Sequence, residues 1–157
     1  MAAHVGVVGH FGDGILDADG RIDRRKLGRI VFADGEQRAV LNRLVHPWVA
    51  EGWRQWIGGL GDGCRRAAVV VPLLYEAGFA GGWSAVVCVS ALRETQLARL
   101  ALRGLGEQEA VQRIGAQMPM REKELRSDYV IMNEGSKDLL RRQTQSVLRS
   151  ITERQTW

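Results

Sequence analysis

Three short runs at residues 68–71, 85–90 and 129–132 are apolar almost without interruption and do not alternate with polar positions. Successive apolar residues suit strands covered on both faces, as in a parallel sheet. Between and around them the pattern changes to helical spacing. Residues 92–103 form one such stretch, and 108–118 another, with Val111, Ile114 and Met118 a turn apart. A third, 137–151, places Leu140, Val147 and Ile151 on one side. Strands alternating with helices predict an α/β fold. From 24 to 57 the pattern is helical throughout, with Leu41, Leu44, Val45, Trp48 and Trp53 forming a broad apolar stripe. Asp34, followed three positions later by Gln37, predicts an N-terminal helix cap. Pro47 lacks an N–H and disfavours helix at His46, so a kink or restart is expected there. Gly58, Gly59, Gly61 and Gly63 then end the helix. Because this cluster follows a helix and leads into a strand, it reads as a surface loop and not as a dinucleotide fingerprint.

With 157 residues, 45% hydrophobic and 25% charged, the chain has the balance of one soluble domain, expected over residues 1–157. The longest apolar run, 67–74, contains Pro72 and falls far short of the roughly 20 residues that span a bilayer, so no membrane partner is expected. The opening residues lack a basic stretch followed by an apolar core, which argues against a signal peptide. Cys64 and Cys88 fit no metal or disulfide pattern, and free thiols point to a cytoplasmic location. A net charge of +4, spread over helical stretches, does not form the dense footprint of a nucleic-acid binder; a phosphate-bearing small ligand fits it as well.

The candidate chemistry lies where strands end. Gly9 and Gly14, with Gly12 between them, have the glycine spacing of a phosphate-binding loop, but Ile15 and Leu16 stand where its Lys and Ser or Thr would be. An ordinary turn-rich loop is the alternative. Asp17, Asp19 and Gly20 read as a turn, and no third ligand makes them a metal site. His46 sits beside Pro47 as a ligand contact or a packed residue. Pro72, Leu73, Leu74, Tyr75 and Glu76 follow an expected strand at its carboxyl end, where open α/β sheets bind ligands, and Glu76 is the best-placed carboxylate. Arg99 and Arg103 share a helix face ahead of a turn containing Gly104 and Gly106, an arrangement suited to a lid that closes on phosphates. Asn133 follows the last strand, where it could read a base edge or cap a turn.

Taken together, these residues resemble the bacterial-type dephospho-coenzyme A kinases. The similarity begins at His10-Phe11-Gly12 and continues through Asp19-Gly20-Arg21-Ile22-Asp23-Arg24, Leu27, Ile30-Val31-Phe32, Leu41-Asn42 and His46-Pro47. It then takes in Pro72-Leu73-Leu74-Tyr75-Glu76, Gln96, Arg99, Arg103, Arg113-Ile114, Gln117, Glu122-Lys123, Asp128-Tyr129-Val130-Ile131, Asn133 and Gly135. The resemblance implies a P-loop NTPase-like parallel sheet with helices on both faces. It implies a helical substrate-binding insertion at about 20–60, a short lid at about 104–123, and an incomplete N-terminal core. The implied reaction is transfer of the ATP terminal phosphate, with Mg²⁺, to the ribose 3′-hydroxyl of dephospho-coenzyme A, the final step of coenzyme A biosynthesis. Arg103 would face the phosphates, Asn133 and Gly135 would border the adenine, and His46, Leu74 and Glu76 would line the acceptor side. The nucleotide set is then Gly9, Gly12, Gly14, Arg99, Arg103, Asn133 and Gly135, and the substrate set is His46, Pro72, Leu74, Tyr75 and Glu76.

The family's Walker A loop and the second strand carrying its catalytic aspartate have no counterpart here, so no catalytic base is assigned. Val5-Gly6-Val7-Val8-Gly9 resembles the family's first strand and opening glycine; the alternative places residues 1–9 in the helix before His10. Little or no kinase activity is expected of the chain by itself, and monomers or weak self-association are expected. Three other readings stay open: a non-catalytic remnant that binds coenzyme A or a nucleotide, a related nucleoside-type kinase, and a basic nucleic-acid binder, which steep salt-dependent retention on DNA or RNA would reveal.

Overall fold

A computed structural model describes residues 2–154. The chain divides into two compact units, Met1–Phe79 and Ala80–Trp157. The first is helical, with α1 (Ala2–Phe11), a 3-10 turn (Asp13–Ile15), α2 (Arg24–Ala33) and α3 (Gly35–Gly58). The second runs β1 (Val87–Ser90), α4 (Arg93–Leu102), α5 (Glu107–Gly115), α6 (Met120–Arg126), β2 (Tyr129–Met132) and α7 (Lys137–Arg154). No described helix is long and apolar enough to cross a membrane.

Side-chain caps delimit the helices of the first unit. Asp34 accepts the N–H groups of Glu36 (2.8 Å) and Gln37 (3.1 Å), which makes it the predicted cap and separates α2 from α3. Asp23 does the same for α2 through Arg25 (2.8 Å) and Lys26 (3.2 Å). These backbone bonds hold its carboxyl below the usual carboxylate range. The restart expected at Pro47 does not occur, because α3 continues through it. Both Pro47 and Arg43 one turn earlier are exposed, so water can serve the carbonyl that proline leaves without a donor.

Val7, Ile15, Leu27 and Val31 form the core of this unit, with Phe11, Leu41, Leu44 and Val45 packed around them. Burying each such side chain contributes about 1.5–3 kcal/mol. The family resemblance placed a strand at residues 5–9, and the structure corrects it to helix α1. A helix satisfies its backbone internally, whereas a strand needs a ladder partner. Val7 and Phe11, one turn apart, both reach the core, and Gly6 admits Leu44 so closely that an added Cβ would stand 3.5 Å from its Cδ2. The strand expected at 68–71 is also absent from the structure: those residues join no ladder, and Val70 is 91% exposed.

In the second unit β1 and β2 pair in parallel, with Val87 opposite Tyr129 and Ser90 opposite Met132. The crossover between them consists of α4, α5 and α6. Helix α6 packs on β1 and α7 on β2, which gives the expected α/β arrangement of a parallel sheet flanked by helices. Strand β1 begins two residues later than its apolar run. The Asp128 carboxylate takes the Val86 N–H (2.7 Å), while the Val86 carbonyl accepts from the N–H groups of Asp128 (3.0 Å) and Tyr129 (3.2 Å).

Candidate functional site

In the first unit, residues 72–79 form a compact series of turns. The N–H of Ala77 reaches the Leu73 carbonyl at 2.9 Å, that of Gly78 reaches Tyr75 at 3.1 Å, and that of Phe79 reaches Leu74 at 2.9 Å. Gly78 has φ of 72°, a left-handed conformation in which glycine meets no steric penalty. The turn returns Phe79 to α3, where its ring lies 5.9 Å from His46 and 6.3 Å from Trp53. His46 is half-buried, and burial lowers its pKa below the ordinary 6.5. Leu74, Tyr75 and Glu76 sit within this turn, with one Glu76 carboxylate oxygen buried, and Pro72 lies exposed at its start. The predicted substrate residues thus share one local structure, joined to His46 through Phe79.

The three glycines of the predicted phosphate loop do not form one. Gly9 lies within α1, and Gly14 within the 3-10 turn. Gly12 has φ of 76°, and its N–H donates to the Val8 carbonyl at 2.8 Å. A phosphate cradle needs a strand that delivers several free amides into a loop; here a helix runs into a tight turn instead. At the position of the motif's hydroxyl, the Leu16 carbonyl accepts the Lys26 ammonium at 2.6 Å. The neighbouring Asp17 and Gly20 form the predicted turn. The Asp17 carboxylate accepts from the N–H groups of Asp19 (3.0 Å) and Arg21 (2.9 Å), and Gly20 adopts φ of 73°.

In the second unit the polar loop after β2 sits beside the carboxyl end of β1. The Asn133 N–H donates to the Ser90 carbonyl at 2.7 Å. Arg99, reaching from α4, donates to the Asn133 carbonyl at 2.8 Å and lies 3.5 Å from its side-chain oxygen. Glu134 closes the arrangement, accepting the Leu92 N–H at 2.5 Å and the Thr95 hydroxyl at 2.6 Å. The Thr95 hydroxyl foremost, then the Leu92 N–H, holds its carboxyl below the usual range. At Gly135 a Cβ would come within 2.7 Å of the Leu139 Cδ2, so any larger residue forces that side chain aside. Arg103 caps the end of α4 with its side chain exposed, and Gly104 turns the chain with φ of 80°.

The segment expected to act as a lid begins at this turn, but its far end is fastened. Ser90, only 2% exposed, donates its hydroxyl to the Glu124 carboxylate of α6. Cys88 meets Met120 at 3.8 Å, and buried Lys123 donates to Gln117 at 3.2 Å. Burial first and the Glu124 charge second push the Cys88 thiol pKa up, against the opposing pull of Lys123. Glu134, Thr95, Ser90, Glu124 and Phe79 received no role from the sequence. Each acts on a partner distant along the chain, and no local spacing marks it.

The family model for dephospho-CoA kinase matches residues 2–138. A dephospho-CoA kinase from Symbiobacterium thermophilum is 44% identical over 146 residues, covering 92% of this chain and 61% of the relative. One from Arabidopsis thaliana is 40% identical over 157 residues, covering 96% and 66% respectively. The chain therefore spans just under two thirds of the length of these curated relatives. Among solved structures, that of TT1252 from Thermus thermophilus superposes with a TM-score of 0.70 at 32% identity, over 93% of this chain and 73% of that one.

Proposed function

Since this chain belongs to the dephospho-CoA kinase family, we propose that it carries that family's acceptor turn and base-binding loop without a working phosphate cradle. The acceptor is dephospho-coenzyme A, held by His46, Pro72, Leu74, Tyr75 and Glu76. The nucleotide is ATP, with its adenine beside Asn133 and Gly135 and its phosphates within reach of exposed Arg103. Gly9, Gly12 and Gly14 drop out of the nucleotide set, since helical and turn geometry engages this segment.

The observation that supports this reading most is the position of the Asn133 loop. It lies at the carboxyl end of a parallel strand, hydrogen-bonded to the end of the neighbouring strand, where α/β sheets place their ligands. A half-buried histidine, its pKa lowered by burial and its ring packed on Phe79, suits contact with an uncharged portion of the acceptor. The residues present do not fit the Mg²⁺ that the family implies. The hydroxyl ligand's place is taken by Leu16, the Asp17 carboxylate serves its own turn, and among the described residues no group of three or more His, Cys, Asp or Glu is placed to hold a metal.

Calorimetry of the 157-residue chain tests the proposal. Dephospho-coenzyme A is expected to bind, and replacement of Glu76 by Ala to weaken it about tenfold, the loss of roughly 1.4 kcal/mol. Absence of any binding of dephospho-coenzyme A by the folded chain would overturn it.

A further inference from the structure

The loop after β2 is held by more than its neighbours in sequence. Glu134 points back across the sheet edge to the start of α4, where one carboxylate oxygen accepts the Leu92 N–H at 2.5 Å and the other accepts the Thr95 hydroxyl at 2.6 Å. The first N–H groups of a helix have no partner within it, so this carboxylate is a capping group supplied from 42 residues away. One turn further along α4, Arg99 places its guanidinium on the Asn133 carbonyl at 2.8 Å. The Asn133 N–H is itself taken by Ser90. The backbone of Asn133 is thereby bound at both its donor and its acceptor, and the following residue is bound by its side chain.

From this geometry we infer that Glu134 and Arg99 are positioning residues for nucleotide recognition, fixing the loop that presents Asn133 and Gly135 to a purine base. This rests on the base-binding reading of that loop given above. It also changes the role of Arg99. A guanidinium committed to a main-chain carbonyl orients the loop, and of the two arginines on that helix face, Arg103, whose side chain is exposed, is the one placed to meet phosphate oxygens. The loop needs such support because its own residues do not supply it. Asn133, Glu134 and Gly135 form no regular structure among themselves, and a base edge is read only when the reading amide is held in place.

The test compares ATP with adenosine, which has the base and no phosphates, by calorimetry on the full chain, with a urea midpoint recorded for every variant. Arg99→Ala and Glu134→Ala are each expected to weaken ATP and adenosine by the same factor, about tenfold, with the midpoint retained in Arg99→Ala and lowered in Glu134→Ala only as far as loss of a helix cap requires. Glu134→Gln keeps an oxygen for the Leu92 N–H and an amide for the Thr95 hydroxyl, and is expected to stay within about threefold of the parent. Thr95→Val removes one anchor only and is expected to lose about threefold. If Arg99→Ala weakened ATP and left adenosine unchanged, Arg99 would be a phosphate ligand and the inference would be wrong. It would be equally wrong if Glu134→Ala bound both ligands like the parent, or lost them only because it no longer folds in the absence of urea. Failure of the parent chain to bind either ligand would instead remove the base-binding reading, and this inference with it.

Discussion

The side-chain amide of Gln143 meets both backbone groups of Met132: it accepts the Met132 N–H at 3.0 Å and donates to the Met132 carbonyl at 2.9 Å. Helix α7 thereby continues the hydrogen-bonding ladder at the edge of β2 with a side chain in place of a strand. Open strand edges are where chains pair with the wrong partner, and covering an edge with a helix is one remedy. Replacing Gln143 by Leu is expected to destabilise the chain by about 1–2 kcal/mol, the net value of two partly solvated hydrogen bonds. It is also expected to promote self-association. Urea unfolding and sedimentation of the purified variant measure the two effects; an unchanged midpoint would show that the amide contributes nothing.

His46 gives a pH dependence of defined sign. Burial against Phe79 lowers its pKa in the folded chain below the ordinary 6.5, so the neutral ring is favoured on folding. Above pH 6.5 both folded and unfolded rings are neutral and no stability changes with proton uptake. As pH falls from 6.5 toward the folded pKa, the unfolded chain binds the proton first and stability is lost. The His46→Asn variant is expected to lose less stability than the parent between pH 7.5 and pH 5.5. A ring whose titration, followed by NMR, is centred at or above 6.5 would contradict this.

Ser90 fastens α6 to the sheet. Its buried hydroxyl donates to the Glu124 carboxylate, and hydrogen bonds to charged groups are worth about 1.5–3 kcal/mol. Ser90→Ala is expected to cost an amount in that range and to speed amide exchange in α6. In the parent, α5 is expected to exchange faster than α6, because Met120 and Glu124 of α6 are held by Cys88 and Ser90 of β1. Equal exchange in the two helices would show that these contacts do not hold α6.

The two thiols are expected to differ in reactivity. Cys64 is exposed, whereas Cys88 is half-buried, and its pKa is raised mainly by that burial. The thiolate is the reacting species, so at pH 8 Cys88 has less of it as well as less access. Brief iodoacetamide treatment followed by peptide mass mapping should show Cys64 modified first; preferential labelling of Cys88 would contradict its placement under α6.

What could be read from the sequence was local or strongly patterned. The Asp34 cap and its Gln37 partner lie three positions apart, the Asp17 turn closes within five residues, and the run from Tyr129 to Met132 is a strand at its predicted limits. What could not be read depends on a partner elsewhere. Residues 68–71 have a strand's composition but no ladder, and residues 5–9 have the letters of a first strand but pack as a helix through Val7 and Phe11. The proposed acceptor residues could be named, but the Phe79 ring that ties their turn to His46 could not. The loop at Asn133 could be named, but the contacts that hold it come from Arg99, Leu92 and Thr95, 34 to 42 residues earlier.

Residues 9–16 are expected to grip phosphate poorly. Loss of a single electrostatic donor commonly costs 10²–10³ in rate, and residues 9–16 present a helix end, an aliphatic pair and a turn in place of lysine and hydroxyl. The direct measurement is formation of coenzyme A from ATP and dephospho-coenzyme A, with Mg²⁺, by the purified 157-residue chain. The expected result is binding of dephospho-coenzyme A with turnover at least about a hundredfold below the 1–100 s⁻¹ typical of kinases. Turnover within that typical range would contradict the proposed loss of phosphate grip, because it would require a phosphate cradle that residues 9–16 do not form.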